Sequence, residues 1–98
     1  MSKKSLERVV LVAKALSDSN RVEMIRFLAR QKGPLCACDI VDQFDLSQPT
    51  VSHHLRILKD AGLLRGARDG LFAFYEVEPA GMGLLEAMSG LFKAREAP

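Results

Sequence analysis

Two cysteines separated by one residue, Cys36 and Cys38, are the side chains of this sequence with the clearest capacity for chemistry. Thiolates bind soft ions, and a helix N-terminus favours the thiolate because it lowers the pKa of a cysteine. Cysteines at positions i and i+2 can converge on one ion where the backbone is not yet a regular helix. The pair therefore predicts a site for a soft metal or metalloid ion.

The number of available donors limits which ion the pair can hold. Arsenite and antimonite fit two thiolates and one further donor, whereas tetrahedral zinc or cadmium needs four ligands. The chain has no third cysteine. Hydroxide, a small-molecule thiol, Asp39, Asp42 or a group of a partner chain would have to complete the site.

The sequence alone leaves further roles open for the cysteine pair. The pair could be a redox switch that forms sulfenic acid or a disulfide, although we expect a bridge between residues i and i+2 to be strained. Both cysteines could also be small buried hydrophobic residues. A small thiol–disulfide protein would need a Cys-x-x-Cys motif and alternating strands, which are lacking. No Ser-His-Asp set or catalytic carboxylate pair is evident, so we expect neither an enzyme nor an organic cofactor.

A second group of candidate functional residues lies on one predicted helix. Ser47 is an N-cap candidate, Pro49 is tolerated in the first turn, and the helix runs to about Ala61. Val51, Leu55 and Leu58 form its inward face. The side chains that point away from this face are donors suited to phosphates and base edges: Gln48, Thr50, Ser52, His53 and Arg56.

The elements around this helix predict a winged helix-turn-helix. A short helix from about Cys38 to Phe44, with Ile40, Val41 and Phe44 inward, precedes it by a tight connection. Asp69-Gly70 is a hairpin signal between Leu63-Leu64 and residues 72–75. The wing arginines, Arg65 and Arg68, flank this turn and could lie along a phosphate backbone. We expect the cysteines to lie at the start of the preceding helix, away from the DNA-facing surface.

Adjacent histidines invite a metal-binding interpretation, which helix geometry disfavours. Consecutive positions of a helix point about 100° apart, so His53 and His54 cannot easily share one ion. We therefore expect DNA contact or packing on the helix surface for this pair.

Three further helices are predicted from apolar spacing. The first ends near Ser17 and carries Leu6, Val9, Val10, Ala13 and Leu16. The second opens with a capping box of Asn20 and Glu23, carries Val22, Ile25, Leu28 and Ala29, and stops at Gly33-Pro34. The last follows Pro79 and is weakened by Gly81, Gly83 and Gly90, each of which lowers helix propensity by about 1 kcal/mol relative to Ala. Its apolar residues are Leu84, Leu85, Met88, Leu91 and Phe92.

Length and composition indicate one small domain spanning residues 1–98, mainly α-helical with a small β-hairpin. A chain of 98 residues buries about two-thirds of its unfolded surface and gains stability from dimerisation. No apolar run approaches the roughly 20 residues of a membrane span. Reduced thiols suggest a cytoplasmic protein. The terminal helices carry more apolar surface than one domain can bury, which predicts a homodimer interface at Leu6, Val9, Val10, Leu85, Met88 and Phe92.

Several short motifs together resemble a known family. They are Ala15-Leu16-Ser17-Asp18, Arg21, Leu35-Cys36-Ala37-Cys38-Asp39-Ile40, Leu46-Ser47-Gln48, Val51-Ser52-His53-His54-Leu55, Leu58, Ala61-Gly62-Leu63 and Tyr75. In these the sequence resembles the ArsR/SmtB family of metal-sensing bacterial transcriptional repressors. The resemblance covers about residues 6–78 and is specific over residues 47–64.

This resemblance implies a winged helix-turn-helix homodimer with five helices and a two-stranded wing, which binds palindromic operator DNA until an effector binds. It implies that residues 47–59 are the recognition helix and that residues 72–75 lie in the wing. Residues 35–39 resemble the thiolate box of arsenic, cadmium and lead sensors, with Val41 where the arsenic-type box has a third cysteine. Arsenite or antimonite is thus the expected inducer, with cadmium or lead as further soft ions. The family's other metal site, on the last helix, is expected to be absent because no histidine follows His54.

Overall fold

The computed structural model describes residues 2–91 and contains five helices and three strands in that range. It confirms the predicted winged helix-turn-helix. The predicted interface residue Phe92 lies outside the described residues. In chain order the elements are α1 (Lys3–Ala15), α2 (Ser19–Ala29), β1 (Leu35–Cys36), α3 (Ala37–Asp42), α4 (Gln48–Asp60), β2 (Leu64–Asp69), β3 (Phe72–Val77) and α5 (Pro79–Leu91).

The sheet is antiparallel with the order β1-β3-β2, so the predicted two-stranded wing has a third strand. In the β2–β3 hairpin, Leu64 pairs with Val77 at one end and Asp69 pairs with Phe72 at the other. The turn between the strands places Gly70 at φ +62°, a left-handed conformation that glycine adopts without steric cost. Strand β1 pairs with β3 and consists of only two residues, too few to show a period-2 pattern in the sequence.

The ends of three helices differ from the prediction. α1 ends at Ala15 rather than near Ser17. The N-cap of α2 is Asp18, whose carboxylate accepts hydrogen bonds from the N–H groups of Asn20 and Arg21. The expected Asn20–Glu23 capping box is therefore wrong, because the carboxylate two residues earlier already caps the first turn. α2 ends at Ala29, before Gly33-Pro34, and α3 spans Ala37–Asp42 rather than Cys38–Phe44.

The core lies between α1, α2, α4 and the base of the sheet. In α1 the inward face is Val9, Val12 and Ala15, so the predicted apolar stripe belongs to two different faces. Leu6, Val10 and Ala13 are exposed. The other buried hydrophobic residues are Met24, Ile25, Leu28, Cys36, Ile40, Val51, Leu55, Leu58, Ala61, Leu63 and Leu64.

The two central helices follow the predicted inward faces closely. Val51, Leu55 and Leu58 of α4 are fully buried, as is Ile40 of α3. Val41 and Phe44 pack against the core while remaining partly exposed. In α2, by contrast, Met24 replaces the predicted Val22 and Ala29 on the buried side.

Gly81 of α5 has a packing role that helix propensity alone does not reveal. A Cβ built at this position would collide with the Gly62 carbonyl oxygen and press on Leu63 Cα, whereas a Cβ at Gly83 would meet nothing within 4 Å. The absence of a side chain at Gly81 thus allows α5 to lie against the corner that leads into β2.

We expect Gly81→Ala to destabilise the protein by about 1–3 kcal/mol, because the colliding atoms are backbone and cannot rotate away. Gly83→Ala is the matched control in the same helix, and it should stabilise the protein by up to about 1 kcal/mol through helix propensity. Urea unfolding of the two variants measures both effects. Equal destabilisation by both changes would contradict this packing of α5.

Candidate DNA interface and thiol site

The N-terminal turn of α4 is fixed by its cap and leaves a polar face exposed. Ser47 Oγ accepts a hydrogen bond from the N–H of Thr50 at 3.3 Å, and the two hydroxyl groups are 2.8 Å apart. Part of the hydrogen-bonding capacity of the Thr50 hydroxyl is therefore used within the cap. The five side chains predicted to face DNA are all exposed in the protomer: Gln48, Thr50, Ser52, His53 and Arg56.

The two wing arginines occupy opposite faces of the hairpin. Successive residues of a strand alternate between faces, so Arg68 shares the face of buried Leu64, whereas Arg65 does not. Arg65 lies opposite Glu76 near the base of the hairpin. Its guanidinium Nε is 2.9 Å from Glu76 Oε1, and its Nη1 is 4.0 Å from Glu78 Oε2. The two wing arginines therefore lie on different surfaces, and of the two only Arg68 borders the recesses shared with α4.

A groove of about 500 Å³ runs between the start of α4 and the wing. We call it the α4–wing groove. It brings together the cysteine pair, three of the predicted DNA-facing residues of α4 and the wing arginine that shares their face. Its lining residues are Cys36, Ala37, Cys38, Gln48, Ser52, Arg56, Arg68, Leu71, Phe72, Ala73 and Tyr75.

The cysteines stand at the junction of β1 and α3. Cys36 is the last residue of β1 and the N-cap of α3, and its Sγ accepts a hydrogen bond from the N–H of Cys38 at 3.3 Å. The Cα atoms are 5.2 Å apart and the two sulfur atoms are bonded to each other. Both sulfur atoms therefore lie side by side at the start of α3.

The position of the cysteines also corrects an expectation. Because β1 pairs with β3, Cys36 lies opposite Phe74 of the wing. The pair therefore lines the α4–wing groove, instead of lying away from the predicted DNA-facing surface. The signal for this placement was a two-residue strand, which the sequence pattern did not reveal.

Protein donors beyond the two sulfurs are scarce at this site. Within residues 2–91 no group of three or more His, Cys, Asp or Glu side chains is gathered closely enough to hold an ion. Val41 packs against the core, and Asp39 and Asp42 are exposed on α3. The donor set of one protomer fits an ion that takes two thiolates and completes its coordination from solvent, and does not fit four-ligand zinc.

The charges beside the groove are mainly positive. A neighbouring recess of about 450 Å³ is lined by Arg56, Lys59 and Arg68 together with one carboxylate, Asp60. Glu76 and Glu78 lie near Arg65 instead. The face formed by α4 and the wing is therefore suited to a polyanion, although the formal net charge of the whole chain is only +2.

The adjacent histidines separate as the helix geometry predicts. The ring centroids of His53 and His54 are 6.0 Å apart; His53 is exposed, and His54 is buried with its Nδ1 3.1 Å from Arg21 Nη1. Sequence reasoning missed this buried contact. The sequence signal that could have indicated its burial is the helical spacing of His54 with Val51 and Leu58, which lie on the inward face of α4.

A short helix, a recognition helix with exposed donors and an adjoining wing together define a winged helix-turn-helix transcriptional regulator. The chain belongs to the ArsR family: residues 18–65 match the family described as bacterial regulatory protein, arsR family. The proteins of this family that it matches are regulators of transcription and not enzymes.

Two relatives and two solved structures illustrate the similarity. An uncharacterised helix-turn-helix-type regulator of Methanocaldococcus jannaschii is 38% identical over 71 residues, covering 72% of this chain and 79% of that one. An arsenical resistance operon repressor of Staphylococcus aureus is 41% identical over 76 residues, covering 78% and 71%. A crystal structure of a possible transcriptional regulator for arsenical resistance superposes with a TM-score of 0.75 at 27% identity, covering 84% and 83%. A solution structure of a homodimeric winged helix-turn-helix domain from Mycobacterium bovis gives 0.73 at 26%, covering 93% and 85%.

None of the helices within residues 2–91 combines the length and the apolar character needed to cross a bilayer.

Proposed function

We propose that this chain is a DNA-binding transcriptional repressor that leaves its operator when arsenite or antimonite binds to Cys36 and Cys38. The observation that carries the proposal is the α4–wing groove, which is lined by the thiol pair and by side chains suited to DNA. Two relatives from Staphylococcus aureus support it, an arsenical resistance operon repressor and a cadmium resistance regulatory protein. Cadmium or lead are the further soft ions to test.

The proposed contacts divide into those that read bases and those that position the protein. Gln48 and Ser52 lie on the exposed side of α4 and would reach base edges in the major groove. Arg56 and Arg68 would contact phosphates from α4 and from the wing. Thr50 and His53 are exposed on the same helix and would contact DNA at the periphery of the interface.

The proposed release takes place within the same groove. An arsenite held by two thiolates, with its remaining hydroxide from solvent, would be neutral and would add atoms beside Gln48, Ser52 and Arg56. The bound arsenite would then crowd the surface that DNA uses and weaken DNA binding directly, in place of an effect transmitted only through movement of α3. A coupling free energy of about 1–3 kcal/mol, or about 5- to 150-fold in DNA affinity, is typical of such regulation.

We further propose that two copies of the single domain, residues 1–98, form a homodimer through α1 and α5. Leu6 and Val10 support this because they remain 49% and 52% exposed. Leu85 and Met88 already pack partly against the core, and Val9 is only 7% exposed, so Val9 belongs to the protomer core and leaves the predicted interface. The Mycobacterium bovis neighbour is described as homodimeric. A homodimer would also place one protomer on each of the two half-sites of an operator. We expect the protein to act in the cytoplasm.

We expect Val10→Glu to weaken the dimer by more than tenfold in its dissociation constant, because a charge would enter the apolar seam without a partner. Lys4→Glu is the control on the same helix. Lys4 is also exposed, but it points about 120° away from Val10 around the helix axis. Sedimentation equilibrium measures both variants. A Val10→Glu protein that remained as dimeric as the Lys4→Glu protein would place the interface elsewhere.

A redox response is a second candidate, favoured by the bonded sulfurs of Cys36 and Cys38. Two thiols would lose two protons and two electrons to a peroxide, giving the disulfide and two molecules of water. Release of DNA by hydrogen peroxide, reversed by a thiol reductant, would support this candidate.

The DNA-binding part of the proposal is tested by a gel shift with the promoter DNA next to the chain's own gene. We expect a complex that competitor DNA of unrelated sequence removes only at large excess. Equal competition by promoter and unrelated DNA would count against a sequence-specific regulator.

A further inference from the structure

One buried polar side chain of α4 lies on the side opposite the proposed DNA contacts. His54 is 7% exposed and sits among the apolar residues of the inward face, between Val51 and Leu58. A polar group in such surroundings needs a hydrogen-bond partner. Its partner is the guanidinium of Arg21, with Nη1 3.1 Å from His54 Nδ1.

Arg21 is itself held by the end of α1. Its Nε donates a hydrogen bond to the carbonyl oxygen of Ala15, and its Nη2 lies 3.5 Å from the carbonyl oxygen of Lys14. One planar guanidinium therefore joins the last turn of α1, the first turn of α2 and the middle of α4. Arginine suits this task because its donors are fixed in one plane and it keeps its charge.

The contact also determines where the imidazole carries its proton. Arginine can only donate hydrogen bonds, so His54 Nδ1 must accept with its lone pair. His54 is therefore neutral in this arrangement and its proton is on Nε2. A second proton would place an N–H donor and a positive charge against the Arg21 guanidinium.

The other groups around His54 do not replace this contact. The neighbouring ring on α4 is exposed His53, and the nearby carboxylate is that of Asp18. Desolvation raises the pKa of Asp18, but hydrogen bonds from the backbone N–H groups of Arg21 and Asn20, the charge of Arg21 and, where it is protonated, the charge of His54 bring it below its ordinary value. Asp18 therefore remains a carboxylate that caps α2 throughout the range in which histidines titrate.

We propose that Arg21 and His54 are positioning residues, which hold the recognition helix α4 against α1 and α2 in its DNA-binding orientation, and that protonation of His54 opens this contact. The inference rests on the proposed DNA-binding function and is independent of the ion. His54 acts through the position of α4 and does not touch DNA. Because the intact contact contains neutral His54, operator affinity decreases as the pH falls.

The experiment uses the fact that the chain has only two histidines. His53→Asn leaves His54 as the sole imidazole, and a second variant combines His53→Asn with His54→Asn. The amide oxygen of asparagine can accept from Arg21 at any pH. Affinity for the promoter DNA is measured by fluorescence anisotropy between pH 7.5 and 5.5 under reducing conditions, the range in which histidine side chains take up protons.

We expect the single variant to lose about tenfold in affinity over this range, and the double variant to lose less than about twofold. Parallel pH profiles of the two proteins would overturn the inference. Failure of both, and of the parent chain, to bind promoter DNA would overturn the proposed function and the positioning role with it.

A spectroscopic arm does not depend on DNA or on the folding of the double variant. Nitrogen-15 NMR of the His53→Asn protein at pH 7.5 reports which ring nitrogen of His54 carries the proton. We expect a protonated Nε2 and a bare Nδ1. A proton on Nδ1 would exclude acceptance from Arg21 and overturn the inference.

Discussion

The double variant Cys36→Ser, Cys38→Ser is expected to bind promoter DNA as tightly as the parent chain and to lose its response to arsenite. Serine keeps a small polar side chain that can still cap α3 in place of the Cys36 sulfur. It removes the thiolates on which a soft ion depends. The arsenite-induced loss of DNA affinity, about 5- to 150-fold in the parent, should fall to none. Fluorescence anisotropy with labelled promoter DNA measures both quantities.

The single variants sharpen this test because they retain one thiolate each. One thiolate with water holds such an ion far more weakly than two, so each single variant should need a much higher arsenite concentration for release. The protein must be reduced before the titration, since the two sulfurs can bond to each other. Release of the double variant by arsenite at the parent's concentration would show that the cysteines are structural.

Arg68→Ala is expected to weaken operator binding about 30-fold, since a dimer would lose two phosphate contacts of about 1 kcal/mol each. If Arg56 and Arg68 of two protomers neutralise about four phosphates, the slope of log affinity against log salt is about −3.6 for the parent and about −1.8 for the variant. Three arginines per protomer, as the sequence suggested, would have predicted a slope near −5. The titration is made over a range of salt concentrations with promoter and unrelated DNA.

Arg65→Ala is the matched control, because the same side chain is removed from the same strand on its other face. Arg65 pairs with Glu76, and the loss of such a partly exposed ion pair costs at most about 1 kcal/mol of stability. Its salt slope should equal that of the parent. If the salt slope of Arg65→Ala were smaller in magnitude than that of Arg68→Ala, the assignment of the two wing faces would be reversed.

The sequence predicted the elements whose signals are local. Ser47, Pro49 and the spacing of Val51, Leu55 and Leu58 placed α4 correctly, because capping and a 3.6-residue period act within one helix. Asp69-Gly70 located the wing turn for the same reason. All of these depend on residues close in the chain.

What the sequence could not predict depends on contacts between distant segments. The pairing of Cys36 with Phe74 brings the cysteines to the wing, and the pairing of Arg65 with Glu76 depends on the register of the two strands. The apolar residues of α1 lie on two faces of the helix, one buried with Val9 and one exposed with Val10. The periodicity of the sequence did not show that these neighbouring residues have different surroundings. Arg21 and His54 are 33 residues apart, so their contact leaves no local pattern.

The most direct test of the central claim is a titration of the reduced protein on promoter DNA with arsenite, antimonite, cadmium, lead, zinc and hydrogen peroxide, compared side by side. We expect release by arsenite and antimonite, weaker or no release by zinc, and no release by peroxide at matched concentrations. By linkage, promoter DNA must weaken arsenite binding by the same factor as arsenite weakens DNA binding. Release by peroxide or zinc alone, with arsenite inert, would contradict it.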